Sequence, residues 1–456
     1  MTKTKQMQSQ NTSLFRTLVL LSIPTVLEQV LSTLLQYVDT AMVGHLGEQA
    51  TAAVSTTTTI TWLVNSVPGA IGTAVLVLIS RAAGAGDKAQ VKKLAEQGLF
   101  LAVSAGVALT GVSLALSPWI PVWMGAEAAV QPNASRYFFI VSVPLLFRCV
   151  SSVMGSALRG VQNTKTPMLI SVAENGLNIL LNSILIYGLD LGVTGAAIAS
   201  AVAYTLSGVL MFAACRKNKQ LCWQWRTFSL SPKLLKACAN LGVPVLGSSM
   251  VSCLGYVVFA SLVSGMGTTV FAAHSIAVTA ETIFYVPGYG LRTAASTLIG
   301  NARGEGNTEK LKSVARLSVL LTVGMMCISG VALFFGAQAL MRLFSPSAAV
   351  VELGAQMLRL VALSEPFYGL MIVLEGIFYG LGRTRYAFFA EAFGMWCVRI
   401  LFTALCVNVW GLGLRAVWYC MIADNVCKAV LFAVPFLKKR SRERLLSSRE
   451  SESANG

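Results

Sequence analysis

Apolar residues in this chain come in long blocks rather than alternating stripes. A helix needs about 20 apolar residues to cross a hydrocarbon layer. On that criterion the pattern predicts twelve spans: 15–44, 54–80, 93–118, 134–157, 167–187, 193–214, 236–265, 275–300, 314–340, 351–380, 388–409 and 414–436. The clearest block is 97–126, which holds no charged residue. Polar interruptions are short and rich in Gly, Asn, Asp, Lys and Arg. The first apolar block is too long for a signal peptide and is expected to stay as a helix. These features predict an all-α integral membrane protein.

The blocks repeat. At a shift of 220 residues Pro24 meets Pro244 and Gly47 meets Gly267, and "AAVS" from Ala52 meets "AAHS" from Ala272. "LISRAAGAGD" from Leu78 meets "LIGNARGEGN" from Leu298, and "LRGVQNTKT" from Leu158 meets "FYGLGRTRY" from Phe378. One register carries all of these matches, so the chain reads as two six-helix lobes. Six is even, which makes the lobes parallel. The expected division is an N-lobe at 1–214, a cytoplasmic linker at 215–235, a C-lobe at 236–436 and a basic cytoplasmic tail at 437–456. Paired lobes of this kind form a transporter architecture.

Charge sharpens the topology. Only 12% of residues are charged, against roughly 25% in soluble proteins. The net charge of +16 is explained by position. With the N-terminus inside, 27 Lys and Arg fall in inner segments, and three, Arg136, Arg342 and Arg415, fall in outer ones. That asymmetry places both termini in the cytoplasm of a multi-pass cell-membrane protein and requires no nucleic-acid partner. Ten cysteines show no CxxC pair and read as packed thiols. No GxxxxGK[ST] sequence is present, so ATP is not the expected energy source. No nucleophile–base pair or metal-ligand cluster stands out, so the chain does not read as an enzyme and calls for no cofactor.

The candidate chemistry lies in polar residues inside the apolar blocks, where an ionisable group is costly and marks function by default. Asp39 stands in span 1, and its counterpart at the 220-residue shift is Phe259. The carboxylate is therefore a property of the N-lobe alone. Asn178 and Asn182 share a helix face four residues apart in span 5, and Ser200 is the polar residue to add from span 6, otherwise built of small residues. One carboxylate with amide oxygens can ligate a hard cation such as Na+ or hold a protonatable Asp. Gln36, Tyr37, Glu281, Glu365 and Glu375 are candidates for a cavity that attracts cationic substrates, with intramembrane arginines such as Arg292 as competing partners. Asp424 and Lys428, four residues apart, are expected to form a structural ion pair. Pro68 and Pro287 match within one residue of the repeat register and are hinge candidates.

"QYVDTAMVGHLG", "LRGVQNTKTP", "LNILLNSILIYG" and "GVTGAAIASAVA" together resemble the multidrug and toxic compound extrusion (MATE) family over nearly the full chain. The resemblance implies a monomeric H+- or Na+-coupled antiporter that exports cationic amphipathic small molecules by alternating access. It also implies that Asp39, Asn178, Asn182 and Ser200 form the coupling site. The family often has Asp where this chain has Asn182 and Thr where it has Ser200. A Glu of span 7 that resembles a Na+ site in one branch is absent. With one carboxylate, H+ is favoured over Na+, the only metal ion the site would take. A flippase for a lipid-linked precursor, of a related fold, is the alternative.

Overall fold

The computed structural model describes residues 2–222 and 229–437. The tail expected at 437–456 lies outside them except for Leu437, as does the middle of the expected linker. The described residues are helical, with no strand.

In chain order the first half contains α1 (Thr2–Gly44), α2 (Glu48–Gly84), α3 (Lys88–Leu116), the single turn α4 (Ile120–Trp123), α5 (Gln131–Ser142), α6 (Leu145–Gly160), α7 (Lys165–Asn182) and α8 (Gly192–Lys217). The second contains α9 (Pro232–Ser264), α10 (Thr268–Gly304), α11 (Thr308–Phe344), α12 (Ala348–Ala362), α13 (Glu365–Gly380), α14 (Thr384–Ala392), the short α15 (Leu401–Ala404) and α16 (Leu414–Leu437). Wide π-turns follow α7 at Ser183–Gly188 and flank α15 at Phe393–Ile400 and Leu405–Val409. Among the described residues ten helical segments are long and apolar enough to cross a membrane. Two bent pairs bring the total to twelve, so this is a multi-pass membrane protein.

Those pairs revise two of the expected spans. The fourth is broken between α5 and α6 with a 49° bend, and the tenth between α12 and α13 with a 56° bend. Each break carries a proline, Pro144 just before α6 and Pro366 at the start of α13. Proline lacks the N–H that would continue the ladder but suits a first helical turn. Pro68 and Pro287, by contrast, sit inside unbroken 37-residue helices.

The repeat holds element by element. The bounds of α2 and α10, and of α6 and α13, differ by 220 residues. The turns before α3 and α11 use one chemistry. Gly86 and Gly306 take φ of 75° and 66°, where a side chain would be strained. Asp87 and Asn307 then cap the helices, accepting from the backbone N–H of Gln90 and Lys310 at 2.9 Å each.

Contacts divide the chain into two compact units, Val30–Leu246 and Met1–Gln29 with Gly247–Gly456. The boundaries of these contact units run through α1 and α9. The cause is local packing. In one unit the Thr25 hydroxyl donates to the Gly290 carbonyl at 2.9 Å. Gly290 also lets the α10 backbone lie against Val26, where a β-carbon would sit 2.6 Å from the Val26 nitrogen. In the other unit Gly242 of α9 lies against Ala70 and Ala74 of α2. Ala70 and Gly290 are repeat counterparts, so the exchange of leading segments is reciprocal. Each unit has its own core, around Ile79, Leu94, Val153, Met154 and Leu158 in one and Leu333, Met341, Leu358 and Trp418 in the other. All ten cysteines are free.

Candidate ion-coupling site

The four polar residues singled out from spans 1, 5 and 6 meet in the unit 30–246. The Asn182 amide nitrogen donates to Asp39 Oδ1 at 2.5 Å and to Asn178 Oδ1 at 3.1 Å. The Asn178 nitrogen donates in turn to Ser200 Oγ at 3.1 Å. Three helices thus contribute to one hydrogen-bonded row.

The local sequence explains the convergence. Asn178 and Asn182 lie one turn apart on α7, so their amides stack along one face. The backbone opens into a π-turn at Ser183, directly after Asn182, a feature frequent at functional sites. Helix α8 approaches closely because Gly195 faces the π-turn: a β-carbon there would lie 2.9 Å from the Leu185 carbonyl oxygen. Close approach through small residues is the main packing device where lipid removes the hydrophobic drive between helices. Lower on α1, Ser32 and Ser171 hydroxyls lie 3.3 Å apart, and Asn175 donates to the Ser171 carbonyl at 2.8 Å.

Asn182 is fully buried and Ser200 is 5% exposed. Asp39 is half-buried and, among the described residues, makes no ion pair. Asn182 Oδ1 is buried with no hydrogen-bond partner. The row therefore combines an unpaired carboxylate with an idle amide oxygen. No group of three or more His, Cys, Asp or Glu suited to a metal ion exists among the described residues. A cation here would rest on one carboxylate and neutral oxygens.

Three residues that the sequence pattern did not assign to the site stand beside it. Tyr137 of α5 interacts electrostatically with Asp39, Arg148 and Tyr204. The Arg148 guanidinium sits over the Tyr204 ring at 4.2 Å, and its buried Nη1 has no hydrogen-bond partner. An intramembrane arginine was the available signal, but nothing in the linear order tied it to Asp39.

The cavity candidates scatter. Gln36 is exposed and Tyr37 half-buried, both within a turn of Asp39. In the other unit Glu375 is not a free acid: it accepts from Arg292 at 2.7 Å and from the Tyr379 hydroxyl at 2.6 Å. Glu281 and Glu365 are buried and act on one another electrostatically, and both Glu365 oxygens lack a hydrogen-bond partner. Asp424 and Lys428 pair at 3.1 Å within a larger network. Lys428 also holds Glu391 at 3.0 Å, and Arg399 holds Asp424 at 2.9 Å.

Comparison with known proteins fits this architecture. The MatE family pattern matches twice, at residues 24–184 and 244–405, starting at the two prolines that define the 220-residue shift. A probable multidrug resistance protein NorM of Thermotoga maritima is 27% identical over 440 residues, covering 95% of this chain and 94% of that protein. A multidrug resistance protein NorM of Vibrio vulnificus is 26% identical, covering 83% and 84%. A transporter structure from Pyrococcus furiosus, described as having a binding pocket of reverse polarity, superposes with a TM-score of 0.90 at 23% identity, covering 96% and 97%. With the family pattern matched in both halves of the chain, this protein belongs to the MatE family, the multidrug and toxic compound extrusion transporters.

Proposed function

We propose that this protein exports cationic amphipathic small molecules across the cell membrane in exchange for H+ or Na+, with Asp39 as the coupling carboxylate. The observation that carries this reading is the row Asp39–Asn182–Asn178–Ser200, whose carboxylate has no cationic partner among the described residues. The names of the NorM relatives support drug export. The protein works as a monomer without ATP, and both termini lie in the cytoplasm, as the 27-to-3 distribution of Lys and Arg supports.

Ionised Asp39 accepts the Asn182 N–H. Once protonated, its hydroxyl donates instead, and the idle Asn182 Oδ1 becomes the acceptor when the amide turns over. That turn withdraws the donor from Asn178 Oδ1 and rearranges the row as far as Ser200. A proton entering from outside therefore changes how the second part of α1 is held against α7 and α8. In this alternating-access reading, that change accompanies drug release. Glu281 and Glu365 remain candidates for attracting cationic substrates. Na+ would instead draw on the Asp39 carboxylate and the amide oxygens, but a single carboxylate gives it little charge, which favours H+.

The test is dye efflux from proteoliposomes with ΔpH and a Na+ gradient imposed separately. Efflux driven by ΔpH supports the H+ form, and efflux driven only by Na+ the Na+ form. Dye retention under both gradients overturns export of this substrate class.

A further inference from the structure

A second polar site stands apart from the coupling row, in the unit that contains α11 and α12. A cavity of about 610 Å³ lies between the last turns of α11 and the face of α12. Gln338 and Arg342 line it from α11, and Glu352, Gln356 and Arg359 from α12. On α12 these residues stand at helical spacing and share a face. Gln356 is fixed by Arg415, which donates to it at 2.7 Å.

Two features are unusual for a membrane-crossing element. Arg342 and Arg359 are exposed and, among the described residues, have no ion pair or hydrogen bond. Arg342, with Arg415, is also among the few basic residues of the segments assigned to the outer side, so their gathering here is not the general basic character of the chain. Arg359 is eleven residues into α12, about 16 Å from its start along the axis. Arg359 nonetheless lines the same groove as Arg342, as a guanidinium on a long flexible stem can when it reaches toward a polar layer. Helix α11 has 37 residues, a length of about 55 Å against a hydrocarbon core of about 30 Å. Its last turns therefore stand among lipid headgroups.

We infer that this groove binds the phosphate-bearing headgroup of a membrane phospholipid, with Arg342 and Arg359 on the phosphodiester and Glu352 selecting a headgroup with a primary ammonium. Guanidinium groups suit phosphate because they present paired donors in a plane. The Glu352 carboxylate, exposed on the same groove, would repel a second anionic group but suits the amine of phosphoethanolamine. The acyl chains would continue along the lipid-facing side of the bent span. This site is independent of the transported substrate and of Asp39.

The test uses full-length protein purified in detergent and stripped of lipid, with phosphatidylethanolamine, phosphatidylglycerol, free phosphoethanolamine and inorganic phosphate as probes. Native mass spectrometry reads retained lipid, and thermal melting reads stabilisation. Phosphatidylethanolamine is expected to be retained and to raise the melting midpoint. Arg342→Gln and Arg359→Gln are each expected to weaken retention about tenfold, the loss of one charge-assisted contact. Arg136→Gln, which removes an exposed outer arginine from the other unit, is expected to change nothing. Glu352→Gln should erase the preference over phosphatidylglycerol. Equal stabilisation by inorganic phosphate or free phosphoethanolamine would overturn the lipid assignment. Unchanged retention in the Arg342→Gln, Arg359→Gln double variant would overturn the site. Equal binding of the two lipids by the unaltered protein would overturn the role of Glu352.

Discussion

Asn182 donates to Asp39 at 2.5 Å while its own carbonyl oxygen is buried without a partner. The amide thus presents its N–H to the Asp39 carboxyl and leaves its own acceptor idle. The proposed coupling makes this amide respond to the charge on Asp39, and the predictions about coupling follow from that link.

Asp39→Asn keeps the size and hydrogen-bonding capacity of the side chain and removes its titration. Efflux of a cationic dye under ΔpH should fall to that of empty vesicles. Membrane insertion and the melting midpoint should stay close to the parent values. Efflux at the parent rate would show that coupling lies elsewhere.

Asn182→Asp places a second carboxylate against the first. Two acids in one site raise its affinity for a bare cation, because oxygen ligands and negative charge both favour hard ions. The variant should gain Na+-driven efflux that the parent lacks or shows weakly. The check is a rate comparison under a Na+ gradient at fixed pH.

Ser200→Ala removes the acceptor of the Asn178 amide, whose hydrogen bond measures 3.1 Å. A neutral hydrogen bond contributes about 1 kcal/mol, equivalent to a roughly fivefold effect. Coupled efflux should drop by about that factor without being lost. Ser200→Thr, which keeps the hydroxyl, should retain more activity than Ser200→Ala.

Lys428→Met takes the ammonium from Glu391, which it holds at 3.0 Å, and from Asp424, which it holds at 3.1 Å; Glu391 keeps the Ser252 hydroxyl at 2.7 Å and Asp424 keeps Arg399 at 2.9 Å. Removing one partner from a buried ionic group costs about 3–5 kcal/mol, so the melting midpoint should fall by several degrees or folded protein should be lost. Lys312→Met breaks a contact of similar length, 2.8 Å to Glu309, but those side chains are 45% and 82% exposed. An exposed pair contributes about 0–1 kcal/mol, so this variant should melt with the parent.

Gly208→Ala tests the packing that positions α8. A β-carbon there would lie 2.5 Å from the Phe147 carbonyl oxygen and 2.6 Å from Phe147 Cβ. Overpacking of this kind costs about 1–3 kcal/mol. At Gly176 nothing lies within 4 Å of the added methyl group, so Gly176→Ala should be tolerated. Paired thermal melts distinguish the two.

Much of this architecture can be read from the chain because lipid demands long apolar blocks, and a duplicated pattern exposes itself by register. The hydrogen-bonded polar row was legible for a related reason: Asp39, Asn178, Asn182 and Ser200 are anomalies where apolar residues are the rule. Tyr137 and Tyr204 were not, since aromatic residues are ordinary in such blocks and only packing brings them to Asp39 and Arg148. Glu375 stood between two readings, cavity acid or ion-pair partner, and the pair with Arg292, 83 residues away, is visible only in the packing. The bends at Pro144 and Pro366 escaped because hydropathy records length and not direction. The boundaries within α1 and α9 coincide with no change of composition.

The reciprocal exchange of leading segments bears on how this gene can be recombined. An ancestral chain of about half the length, if it paired with a copy of itself, would have traded arms with it, and fusion would have made the trade internal. A chimaera joined between α8 and α9 carries one foreign arm into each unit. Crossovers at Gln29/Val30 and Leu246/Gly247 keep each arm with the partner it evolved against, although they cut through continuous helices. Modularity in this protein follows contact and not the order of synthesis.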